Sequence, residues 1–105
     1  MSYAKVTVDA GVCKMRTTII AESNEMGEVN YEIDSDCPSV LKMSWSIKPL
    51  NPFDVIEIPF KDNPVYIHAS EHLEHAACPV PCAIIKAIEV ASGMGLKRSV
   101  KIDVE

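Results

Sequence analysis

The chain has 105 residues, which is enough for one domain with a hydrophobic core of its own and predicts a single α+β domain over 1–105. Apolar residues make up 48% and charged residues 24%, a globular mixture that excludes a disordered chain. The formal charge of −5 comes with no basic stripe, which argues against nucleic acid as a partner.

The predicted elements begin with three strands. Ala4, Val6 and Val8 alternate with Lys5, Thr7 and Asp9, the period-two pattern of a half-buried strand. Arg16 to Ala21 is rich in β-branched residues and is followed by the turn Asn24-Glu25-Met26-Gly27. Val29, Tyr31 and Ile33 alternate with polar neighbours. Short connections join the three into an antiparallel meander.

At Asp36 the period changes. Pro38 suits the first position of a helix, with Asp36 or Cys37 as its cap. Val40, Leu41, Met43, Ser44 and Ile47 give that helix one face, and Pro49 stops it. Met43 and Trp45 read as core or edge packing. Residues 49 to 64 hold four of the seven prolines and read as a connector with one short helix from Pro52. A second short helix is expected over Ala69 to Ala77. The clearest helix runs from Pro79 to Ser92, with Ile84, Ile85, Ile88 and Ala91 as its apolar stripe and Gly93 and Gly95 at its end. Val100, Ile102 and Val104 predict a last strand. The expected fold is therefore α+β: an antiparallel sheet of three N-terminal strands plus one C-terminal strand, with helices on one face.

No run of residues is long and apolar enough for a membrane span, because Ala83 to Ile88 is short and broken by Lys86. Residues 1–6 lack the apolar core of a signal peptide, so the expected location is cytoplasmic, where thiols stay reduced.

All four cysteines fall where elements are expected to meet. Cys13 lies in the loop between the first two strands, and Cys37 opens the first helix. Cys78 precedes the last helix, and Cys82 lies in its first turn. Helix N-termini lower thiol pKa values, and thiolates are what metals bind, so Cys37 and Cys78 are expected to ionise more easily than Cys13. Cys78 and Cys82, four apart, would face one way if both were helical. One reading makes Cys13, Cys37, Cys78 and Cys82 a shared thiolate site for an iron–sulfur cluster, with zinc as the alternative. A second makes Cys37 or Cys78 a nucleophile and Cys82 its resolving thiol. The third is a structural or interaction domain whose cysteines are buried in the core. No base is evident beside any cysteine, which weighs against an enzyme. Nothing identifies a substrate, protein partner or oligomeric state.

His68, His72 and His75 would share a face if residues 68 to 77 were helical, with Glu71 and Glu74 among them. A second metal site is one reading of this set. The spacing fixes no third ligand type, so the preferred reading is a solvated polar face.

The arrangement Gly11-Val12-Cys13, three strands leading to Asp36-Cys37-Pro38, then His75-Ala76-Ala77-Cys78 before Ile84-Ile85-Lys86-Ala87-Ile88 resembles the U-type iron–sulfur cluster scaffold proteins. The cysteine separations of 24 and 41 residues are close to that family's, and the resemblance covers about residues 4 to 92. It implies that Cys13, Cys37 and Cys78 stand where cluster ligands stand. Cys82 and the final strand are additions to the family pattern. An uncharacterised relative from anaerobic microbes, with four thiolates in place of three, is the variant this suggests.

Overall fold

The computed structural model describes residues 3–105. Three antiparallel strands, β1 (Tyr3–Asp9), β2 (Arg16–Ser23) and β3 (Val29–Ser35), pair in chain order. Alternation decides their faces. Ala4, Val6 and Val8 stand opposite Ala21, Ile19 and Thr17, which in turn stand opposite Tyr31, Ile33 and Ser35. This row is the inner face, and Ile19 and Ala21 at its centre are fully buried. Lys5, Glu22, Glu32 and Asp34 alternate with it on the solvated face. Asn24 makes the β2–β3 turn, its side chain accepting from the backbone N–H of Met26 (2.9 Å) and Glu28 (3.0 Å). Gly27 completes the turn at φ 81°, a conformation that costs glycine nothing.

Three helices cover the inner face: α1 (Pro38–Ser46), α2 (Pro64–His72) and α3 (Val80–Ala91). Helix α3 packs on β1 and β2, α1 packs on β3, and α2 packs against both helices. Ile84, Ala87, Ile88 and Ala91 carry the α3 stripe into the core, together with Val40 and Met43 of α1. Each fully buried isoleucine contributes about 1.5–3 kcal/mol relative to exposure. The fold is α+β with helices on one face of the sheet.

Residues 49 to 64 form a connector with two single 3-10 turns, Pro52–Asp54 and Phe60–Asp62, where one short helix was expected. Helix α2 starts earlier than expected and ends at His72. Asn63 sets its start. The side chain, 2% exposed, accepts from Val65 N–H (3.1 Å) and donates to the carbonyls of Val55 (2.6 Å) and Ile58 (3.4 Å). One amide thus caps a helix and pins the connector.

Two expectations are corrected. Trp45 is 77% exposed, while Met43 on the same helix is fully buried. Two positions along a helix is a turn of about 200°, so both cannot face the core. The expected C-terminal strand is absent: residues 96–105 form no strand, and Val100, Ile102 and Val104 are 60%, 78% and 95% exposed. Alternation makes a segment fit for a strand but does not supply the edge it must pair with. No helix among the described residues is long and apolar enough to cross a membrane.

Candidate thiolate site

The sheet register brings the first two cysteines to one end of the fold. Asp9 ends β1 opposite Arg16, which begins β2, and Thr17 stands opposite Ser35, which ends β3. The β1–β2 loop carrying Cys13 and the turn into α1 carrying Cys37 therefore leave the sheet at the same end. Two local devices shape the Cys13 loop. The Asp9 carboxylate accepts from Gly11 N–H (3.1 Å), and Lys14 N–H donates to the Gly11 carbonyl (2.9 Å). Gly11 at φ 84° and Lys14 at φ 58° both adopt left-handed backbone, and Cys13 between them is exposed.

Cys37 is held more firmly. The buried hydroxyls of Thr17 and Ser35 lie 2.7 Å apart, and Ser35 Oγ accepts from the Cys37 N–H at 3.1 Å. Asp36 closes the same corner, its N–H donating to the Arg16 carbonyl (3.0 Å) and its carboxylate accepting from Arg16 N–H (3.1 Å). Cys37 is the N-cap of α1, with its carbonyl accepting from Leu41 N–H and its side chain making no cap hydrogen bond. The thiol is therefore not committed to the helix.

Cys78 lies two residues before α3. It is half-buried and, like Cys37, packs against the core. Burial pushes its thiol above the ordinary value; the backbone N–H of Val80 pulls it back, and the neighbouring Cys37 and Cys13 raise it further. The expected easy ionisation of Cys78 is thus reversed, because desolvation outweighs the helix N–H group. Two of the groups that raise the Cys78 pKa, Cys37 and Cys13, come from separate segments of the chain.

Cys82 stands apart from them. Cys78 lies outside the helix, so the two are not related by one helical turn. A groove of about 270 Å³ lined by Ala69, Ser70, Leu73, His75, Cys78 and Pro81 flanks Cys78. Cys82 lines a different groove of about 230 Å³ with Val55, Phe60, Tyr66, Ile85 and Lys86, where the Phe60 and Tyr66 rings lie 4.9 Å apart. Cys82 helps to raise the Tyr66 pKa, after the larger effect of burial.

All four cysteines are free thiols; Cys13 and Cys82 are exposed, while Cys37 and Cys78 are half-buried against the core. As the side chains stand, no group of three or more His, Cys, Asp or Glu among the described residues is close enough to hold a metal ion. Cys13, Cys37 and Cys78 are thus not a preformed cage.

The histidines do not form the shared helical face. His68 and His72 belong to α2, and His75 lies beyond its end, in the Cys78 groove. His72 Nδ1 donates to the His68 carbonyl (2.9 Å) and Nε2 lies 3.4 Å from Ser46 Oγ. His68 Nδ1 is buried without a partner, so this face is less solvated than its composition implies. His75, three residues before Cys78 in the sequence, lines the same groove as Cys78.

Comparison with curated proteins and with solved structures finds no match. A family model does match, over residues 4–104, nearly the whole chain. The chain belongs to the family described as "Family of unknown function (DUF6951)".

Proposed function

We propose that this protein binds an iron–sulfur cluster through Cys13, Cys37 and Cys78, and serves in cluster carriage or electron transfer. What supports the reading is that the segments carrying Cys13 and Cys37 leave the sheet at the same end, and that both thiols act on Cys78, which like Cys37 is half-buried against the core. A bound cation would offset the desolvation that holds the Cys78 thiol protonated, and deprotonate it on binding. Because Cys13 rides on an exposed loop, it can close onto a metal held by the better-fixed Cys37 and Cys78. Three protein thiolates leave one position of a four-ligand site to another donor, and His75 lines the groove beside Cys78. The resemblance to U-type scaffolds adds cluster carriage as the role.

Zinc suits the same donors, but structural zinc usually takes short-spaced cysteine pairs. Here the one short-spaced pair, Cys78 and Cys82, lines two separate grooves. The chain is also long enough to bury a core of its own, which lessens the need for a structural zinc. A thiol enzyme is disfavoured because Cys78, beside a helix N-terminus, has a raised thiol pKa.

The test is anaerobic reconstitution with ferrous iron and sulfide, followed by visible absorption and by iron, sulfide and zinc analysis. The reading expects bound iron and sulfide in equal amounts with thiolate-to-iron charge-transfer bands. Colourless protein, holding zinc alone or no metal, contradicts it.

A further inference from the structure

Strand β1 is an open edge. The sheet order is β1-β2-β3, and no described residue pairs with the outer side of β1. The other edge is partly closed, since Leu50 and Val29 exchange backbone hydrogen bonds of 2.8 and 3.2 Å beside β3. Edge strands with free N–H and C=O groups invite another strand. The same chain carries an unpaired segment of strand character, in which Val100, Ile102 and Val104 are exposed and alternate with Lys101, Asp103 and Glu105.

Charge selects the direction of pairing. Consider the three apolar residues set against Ala4, Val6 and Val8, so that they extend the inner face. Run parallel, Lys101 stands opposite Lys5 and Glu105 opposite Asp9, and like charges directly across a sheet are destabilising. Run antiparallel, Val104, Ile102 and Val100 stand opposite Ala4, Val6 and Val8, and Asp103 stands opposite Lys5. Only the antiparallel arrangement is complementary.

The structure leaves this segment unpaired with the β1 edge of its own chain: residues 96–105 form no strand, and Val100, Ile102 and Val104 stay exposed. The residues that lead into it are held at the end of α3. Met94 and Gly95 N–H groups both donate to the Glu89 carbonyl (2.9 and 3.0 Å), and Arg98 N–H donates to the Leu96 carbonyl (2.9 Å). Gly95 sits so close to Glu89 that a Cβ there would lie 2.9 Å from the Glu89 Cβ.

We propose that residues 99–105 add as an antiparallel fourth strand to the β1 edge of a second copy of this chain. The exchange is reciprocal, which closes a two-fold dimer and leaves neither β1 edge open. This inference is independent of the thiolate reading and can fail or stand without it.

The test is sedimentation equilibrium of the full, metal-free chain in the presence of a reductant, so that the exposed Cys13 and Cys82 cannot link copies covalently. The wild type should have the mass of two chains. Ile102→Asp, at an exposed position that leaves the fold intact, should weaken dimerisation at least tenfold. Asp103→Lys should weaken it too, and Lys5→Asp combined with Asp103→Lys should restore it. A monomeric wild type overturns the proposal, including one in which amides 99–105 are protected from exchange by the chain's own β1. A dimer that Ile102→Asp leaves unchanged overturns it as well, since it would then use another surface.

Discussion

At the scale of single residues, two side chains decide more than their size suggests. Asn63 makes three hydrogen bonds from a buried position, and its loss would leave the Val55 carbonyl and the Val65 N–H without their side-chain partner. An N-cap is worth ~1 kcal/mol, and a buried polar group left unsatisfied costs about 1–3 kcal/mol. Asn63→Ala should therefore lower unfolding free energy by about 2–3 kcal/mol in urea titration, and a loss below ~0.5 kcal/mol would contradict the role assigned to it. The pair Asn63-Pro64 is a helix-start signal in the sequence, yet its position inside a proline-rich stretch masked it. The second residue is Cys78. Its folded-state pKa is raised by burial above the ordinary thiol value, so at any pH near that value less of it is thiolate than of an exposed thiol. Alkylation of metal-free protein should show the Cys78 rate rising at higher pH than that of a free cysteine. A Cys78 rate profile matching or preceding the free thiol's would contradict the burial argument. The sign was not legible in the sequence, because a helix N-terminus can be read from Pro79 and Pro81 but desolvation cannot.

At the scale of elements, periodicity carried most of the information. The alternation in β1 to β3 and the 3.6-residue stripe of α3 both correspond to buried faces. Helix α1 was harder to read, since its apolar residues spread around the axis and only Val40 and Met43 are buried within it. Ile84→Ala should cost about 2–5 kcal/mol, the usual price of a cavity in a packed core. Trp45→Ala should change stability by no more than ~0.5 kcal/mol. The single tryptophan also reports directly: its fluorescence should already be that of a water-exposed indole in the native state and shift little on unfolding. A blue-shifted native emission would place Trp45 in a packed environment and contradict the arrangement of α1. The C-terminal strand shows the limit of pattern reading. Val100, Ile102 and Val104 have the right period, but pairing depends on which edge is reachable and in which direction.

At the scale of the whole molecule, the fold is a three-stranded meander with its first two cysteines at one end. The sheet register places the Cys13 loop beside the turn into α1, and both thiols help to raise the pKa of Cys78 after the larger effect of burial. The sequence showed that the cysteines sit at element boundaries, but boundaries lie at both ends of a sheet. Only the tertiary arrangement separates Cys82, which lines a groove with Tyr66, from the other three. The central claim is therefore a site of three thiolates with Cys82 outside it. Its most direct test is anaerobic iron and sulfide reconstitution of the wild type beside Cys37→Ser and Cys82→Ser, with bound iron and sulfide measured after desalting. The account predicts that the wild type and Cys82→Ser retain a coloured cluster in equal amounts while Cys37→Ser loses it. Loss in Cys82→Ser equal to that in Cys37→Ser, or no iron bound by the wild type, would contradict it.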